Sequence, residues 1–161
     1  INGKQSLHDQ SIRVPMIISG PSITKNKIIK EDIYLQDVMP TILDLADIQV
    51  PSSVDFKSLK TMLFEKKNEK LYDAIYGTFG CCSTENYIDF QRMIRKDDFK
   101  LMLFPINKRL ELYDLKNDPY EINDLAIQDE YKDKIKNLFD DLVELQKNVK
   151  DTLDLTEIFG I

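Results

Sequence analysis

The chain has 161 residues, 42% hydrophobic and 31% charged, which is enough apolar material for a packed core and not a disordered composition. Its 28 acidic side chains outnumber 22 basic ones, giving a net charge of -6, and no basic cluster stands out, so a nucleic-acid partner is not expected. No run approaches the roughly 18 apolar residues of a membrane helix, and no membrane partner is expected either.

In chain order, residues 1–11 read as polar and turn-like. Val14 to Ile18 is apolar on successive positions, which predicts a buried strand with both faces covered, and Pro15 suits its first residue. Residues 20–31 read as a surface loop. Leu35, Val38, Met39, Ile42, Leu45 and Ala46 recur at helical spacing, predicting a helix around 38–46 with Asp37 as N-cap and Pro40 in the first turn. Leu59, Met62 and Leu63 suggest a short helix. The charge run Glu65 to Lys70 is the expected boundary between two parts, 1–64 and 72–161.

Beyond it the apolar period drops to two. Ala74 to Gly77 reads as a strand. Phe90 to Arg95 and Phe99 to Phe104 read as a hairpin turning at Lys96-Asp97-Asp98, and Arg109 to Leu115 as a further strand. Phe99, Leu101 and Leu103 share one face; Lys100, Met102 and Phe104 share the other. Asn117-Asp118-Pro119 is turn chemistry. Tyr131, Ile135, Leu138, Phe139, Leu142, Leu145 and Val149 form one apolar stripe, so 129–149 is predicted to be a helix covering the small sheet. The predicted class is α+β. One buried strand and one helix cannot cover each other, so the first half needs neighbours in another chain or in a preceding part.

The chemistry visible in the residues alone is sparse. Cys81 and Cys82 are adjacent, which excludes a disulfide scaffold; they read as small residues in a loop or at a strand end. His8 is the sole histidine. A Ser/His/Asp set drawn from Ser6 or Ser11, His8 and Asp9 is not demanded by the spacing, and no glycine-rich phosphate loop or metal cluster occurs. The chain begins without Met and with no visible signal peptide, which agrees with a fragment or a processed product.

Two stretches carry more. Gly3-Lys4, then His8-Asp9, then Arg13-Val14-Pro15 and an apolar run are followed by Asp37-Val38-Met39-Pro40-Thr41-Ile42-Leu43-Asp44-Leu45-Ala46. Later come Arg92 to Arg95, Phe99-Lys100-Leu101, and Glu111-Leu112-Tyr113-Asp114-Leu115 leading through Asp118-Pro119-Tyr120-Glu121 to Leu125-Ala126. In order and spacing, from residue 3 to about 149, this resembles the C-terminal part of bacterial sulfatases of the arylsulfatase and choline-sulfatase-like type.

The resemblance implies an α/β fold: the end of an alkaline-phosphatase-like α/β sandwich in 1–64, then a C-terminal antiparallel sheet of three to four strands packed by one long helix in 72–161. It implies a sulfuric ester hydrolase whose formylglycine nucleophile and calcium ligands lie in a missing N-terminal part, so that this fragment alone is inactive. No Cys/Ser-x-Pro-x-Arg segment occurs in the chain, and Cys81-Cys82-Ser83-Thr84-Glu85 does not match it. Lys4 matches the family lysine that contacts a sulfate oxygen. His8, at a position usually aromatic in the family, and Gln91 and Arg92, in a hairpin resembling a pocket rim, are candidate substrate contacts. The implied partners are a sulfated small molecule or glycan, and the missing N-terminal portion or another copy. The family habit implies a periplasmic or secreted location. A non-catalytic, glycan-binding or interaction module and a related phosphodiester or phosphonate hydrolase are the alternatives. A chain standing alone should expose apolar surface around Val14 to Ile18.

Overall fold

The computed structural model describes residues 6–64, 70–82 and 87–161, the side chains of 81–82 and 87–89 excepted. Its elements in chain order are α1 (Asp9–Ile12), α2 (Val38–Leu45), α3 (Lys60–Phe64), β1 (Ile75–Cys82), β2 (Tyr87–Lys96), β3 (Phe99–Phe104), β4 (Arg109–Asp114), α4 (Lys132–Asn148) and α5 (Leu155–Phe159). Single 3-10 turns at Leu35–Asp37, Pro105–Asn107 and Asp129–Tyr131 lead into α2, out of β3 and into α4. The fold is α+β, as the sequence predicts.

The chain forms two compact units. One joins the described residues of Ile1–Val14 to Ala74–Ile161; the other is Pro15–Asp73. The sequence expectation groups residues 1–64 as the end of a larger domain; among the compact units, the described residues from Ser6 to Val14 go with Ala74–Ile161.

In the sheet unit, β1 to β4 form an antiparallel sheet in sequential order. The register aligns Tyr76, Ile94, Leu101 and Leu112 in one row across it. That row meets Ile135, Leu138, Phe139 and Leu142 of α4 and Leu155 of α5. These α4 residues recur at three and four positions, so one stripe faces the sheet. Asp154 starts α5 by accepting from the Glu157 N–H at 2.9 Å, and Gly160, at φ 66, ends it. Neither α5 nor α1 is foreseen from the sequence.

The opposite sheet face is covered too. Leu7 packs with Met93, Met102, Phe104 and Tyr113. Burial on both faces explains why β3 is apolar at almost every position.

In the second unit, Leu59, Met62 and Leu63 pack with Met16, Ile23, Ile29, Ile33 and Leu71. Asp37 does not cap α2 with its side chain. Its buried carboxylate turns back to accept from the N–H groups of Tyr34 at 2.8 Å and Lys57 at 2.9 Å and from the Tyr72 hydroxyl. Thr41 accepts the Leu59 N–H at 2.8 Å, and Pro40 is buried beside it. The Asp-x-x-Pro-Thr pattern is therefore a packing device.

Residues 14–18, predicted as a buried strand, belong to no sheet among the described residues. Ile17 is 95% exposed and Val14 is exposed as well. A strand exists only with a ladder partner, and an apolar run does not say whether one is present. The exposed apolar surface expected there is found; within the unit Pro15–Asp73, Leu35 of the 3-10 turn and Met39 and Ile42 of α2 also lie open, along a shallow groove.

Candidate functional site

Lys4, the residue matched to a sulfate contact, lies outside the described residues. The described segment after it, from Ser6 to Ile12, starts on one face of the sheet, where Leu7 packs with Met93, Met102, Phe104 and Tyr113.

That segment is held at four points. The Leu7 N–H donates to Gln91 Oε1 at 3.1 Å, and the Asp9 N–H donates to Glu121 Oε2 at 2.7 Å. Gln10 Nε2 donates to the Tyr120 carbonyl at 3.1 Å. Asp9 itself accepts from Lys100 Nζ at 2.7 Å and lies 3.4 Å from Arg95. Lys100 is 0% exposed and also donates to Glu121 Oε1 at 2.6 Å. A buried ammonium is costly unless it is paired and hydrogen-bonded, and two carboxylates do both here.

Glu121 is presented by the loop after β4, where it sits at φ 56. Asp118 accepts from the N–H groups of Ile122 at 2.8 Å and Asn123 at 2.7 Å, closing the turn around it. Asp124 accepts from the Leu112 N–H at 3.0 Å, and the Leu125 N–H donates to the Leu112 carbonyl at 2.8 Å, so the loop extends the edge of β4. The three acids of this loop, Asp118, Glu121 and Asp124, each have a backbone or charge partner.

His8 stands on the same sheet face. Its Nδ1 is 3.1 Å from Ser6 Oγ, its Nε2 is 3.5 Å from Glu111 Oε2, and its ring lies 5.9 Å from that of Tyr113. Glu111 is buried and also accepts from the Tyr113 hydroxyl at 3.1 Å and from Arg109. Burial pushes the Glu111 carboxyl up, but His8, Arg109 and Tyr113 together hold it below its ordinary value. It is therefore an ionised acceptor at neutral pH.

The predicted contacts thus divide. His8 and Gln91 come together around Leu7. Arg92, the next residue of β2, points to the other face, as strand alternation requires. There its Nε donates to Asp151 Oδ2 at 2.5 Å and its second nitrogen to Oδ1 at 3.2 Å, while the Tyr76 hydroxyl donates to the same carboxylate. Lys100, Glu111 and Glu121 are not singled out as site residues from the sequence, and Ser6 and Asp9 enter only through a Ser/His/Asp set that the spacing does not demand. The signal for Lys100 was its place on an inward face beside Met102 and Phe104.

No group of three or more His, Cys, Asp or Glu side chains among the described residues is placed to hold a metal ion. The described carboxylates that gather, Asp9 and Glu121, are already neutralised by Lys100 and Arg95.

The family model for the C-terminal part of N-sulphoglucosamine sulphohydrolase matches residues 2–148. The chain belongs to this family. The N-acetylglucosamine-6-O-sulfatase of Bacteroides thetaiotaomicron is similar, at 34% identity over 153 residues, covering 92% of this chain and 27% of its own. A solved structure bound to its substrate D-glucosamine-2-N,6-O-disulfate is 35% identical with a TM-score of 0.63, over 72% of this chain and 24% of that one. A phosphonate monoester hydrolase from Silicibacter pomeroyi has a TM-score of 0.80 at 19% identity, over 96% of this chain and 32% of its own, which speaks to the fold alone. The chain spans about a quarter of the length of the first curated relatives it matches. Sulfatases of this family generally use a formylglycine and a metal ion; the described residues do not form a site for that ion. No described helix is long and apolar enough to cross a membrane.

Proposed function

We propose that this chain is the C-terminal part of an exported sulfatase that hydrolyses the sulfate esters of sugars, its formylglycine and calcium being held by residues outside the chain. The family match over 2–148 carries the reading. Sulfated glucosamines, acted on or bound by the relatives, are the substrate class to test first.

Within that enzyme Lys4 contacts a sulfate oxygen. Attack at sulfur moves charge onto the ester and sulfate oxygens, and a fixed cation in a water-poor site stabilises that charge without reorganising. Lysine suits the role as a compact point charge. The pinning of Leu7 and Asp9 to the sheet supports the assignment, because it restricts the chain three residues beyond Lys4. His8 and Gln91 border the same segment. Arg92 serves the fold through Asp151.

The test is an assay of the whole enzyme on N-acetylglucosamine 6-sulfate, beside phosphate and phosphonate esters of similar shape. Sulfate turnover, with Lys4→Ala lowering kcat/KM by about 10²–10³, agrees with the reading. Faster turnover of the phosphorus esters would reassign the chain to a phosphonate or phosphodiester hydrolase, and binding without turnover to an interaction module.

A further inference from the structure

We propose that Glu111 is a positioning residue for His8 and, through it, for the Ser6 hydroxyl, so that a polar chain runs from β4 to the segment that follows Lys4. Its catalytic consequence rests on the sulfatase reading; its geometry does not.

The Glu111 carboxylate is fixed before it meets the imidazole. Tyr113 donates to Oε2 and Arg109 to Oε1, from either side. An ionised carboxylate only accepts, so Oε2 facing Nε2 at 3.5 Å favours the ring form that carries its proton on Nε2. Nδ1 is then an acceptor, and the group beside it at 3.1 Å is the Ser6 hydroxyl. The Ser6 oxygen in turn accepts from the His8 N–H at 3.3 Å. Both ring nitrogens therefore face protein groups, and the ring rests against Tyr113. His8, expected to touch substrate, acts in this arrangement on its own chain.

Without the Glu111 charge, nothing on β4 selects one ring form over the other. Nδ1 then becomes a donor in part of the molecules and the Ser6 hydroxyl turns away. The segment from Ser6 to His8 loses its single arrangement, while the Asp9 and Leu7 attachments keep it on the sheet.

His8 is the only histidine of the chain, so its ring nitrogens give an unambiguous signal in a sample labelled with 15N-histidine. With the ring singly protonated, the nitrogen shifts are expected to report a proton on Nε2 in the unaltered chain and a mixture in Glu111→Gln. Tyr113→Phe, a milder change, should shift the balance in the same direction. A proton on Nδ1 in the unaltered chain, or shifts unmoved in a folded Glu111→Gln chain, overturns the proposal.

The kinetic arm uses the whole enzyme. Glu111→Gln and Ser6→Ala should each lower kcat/KM by about tenfold, and the double variant should lose little more than either. Losses that multiply would overturn the relay. If the unaltered enzyme hydrolyses no sulfate ester, the sulfatase reading falls, and the nitrogen shifts still decide the relay.

Discussion

Arg95 and Lys100 stand directly opposite each other on neighbouring antiparallel strands. Two cations in that register repel, and on a buried face the repulsion is not screened by water. Asp9 lies between them, 2.7 Å from Lys100 and 3.4 Å from Arg95, and Glu121 completes a set of two positive and two negative groups. The sheet face is thus electrically complete only when the segment carrying Asp9 is in place.

Lys100→Met should therefore destabilise the chain by about 3–5 kcal/mol, because it leaves two carboxylates facing each other without their ammonium. Urea denaturation followed by circular dichroism measures this. A loss below about 1 kcal/mol would mean that the carboxylates find water or protons at little cost, against the burial described.

The Arg92–Asp151 pair sets a pH dependence. Burial pushes the Asp151 carboxyl up, but the hydrogen bonds from Arg92, Tyr76 and the Leu153 N–H outweigh it and hold it at about 2, against 3.8 for the free group. A carboxyl with a lowered folded value contributes stability above its unfolded value, and that contribution disappears as pH falls through the folded one. Stability should therefore fall between about pH 4 and pH 2. Asp151→Ala should lower stability at neutral pH by about 1.5–3 kcal/mol and flatten that part of the pH profile. An unchanged acid limb in the variant would remove Asp151 from the account.

Phe139 of α4 is fully buried against the sheet and meets Phe159 edge-on, with ring centres 6.2 Å apart. Phe139→Ala should cost about 3–5 kcal/mol and free α5 at the same time. Hydrogen exchange at Thr156 to Phe159 tests the second part: protection there should fall further than in β3.

Ile17 and Ile42 are exposed apolar side chains of the unit Pro15–Asp73. Surfaces of that kind promote association in water. The 161-residue chain alone should sediment as species larger than a monomer at micromolar concentration, and Ile17→Lys with Ile42→Lys should shift it toward the monomer. Unchanged sedimentation would place the contact elsewhere.

How much of this was readable in advance depended on whether one residue's neighbours lay nearby in sequence. The β2–β3 hairpin and α4 were legible because alternation and the stripe from Tyr131 to Val149 are local patterns. The partnership of Lys100 with Asp9 spans 91 residues, and no local pattern carries it. Asp37 reads as an N-cap from its place before α2; it turns the other way to meet the Tyr34 N–H and, from farther along the chain, Lys57 and Tyr72. Val14 to Ile18 shows the converse, since its composition is that of a buried strand whatever surrounds it. Of the candidate contacts, His8 is singled out at a position usually aromatic in the family the chain resembles, and Gln91 in a hairpin resembling a pocket rim. Glu111 stood in that family's pattern and was passed over, since its role appears only when His8 is brought beside it.

The family match ends at residue 148, but the folded unit does not. Asp151 lies past that limit and holds Arg92, Leu153 takes a hydrogen bond from Gln146 at 2.6 Å, and Leu155 is among the most buried side chains of the core. The last residues therefore take part in the core that packs against the sheet. A frameshift or proteolytic clip just after α4 would be felt as a loss of core and a stranded arginine.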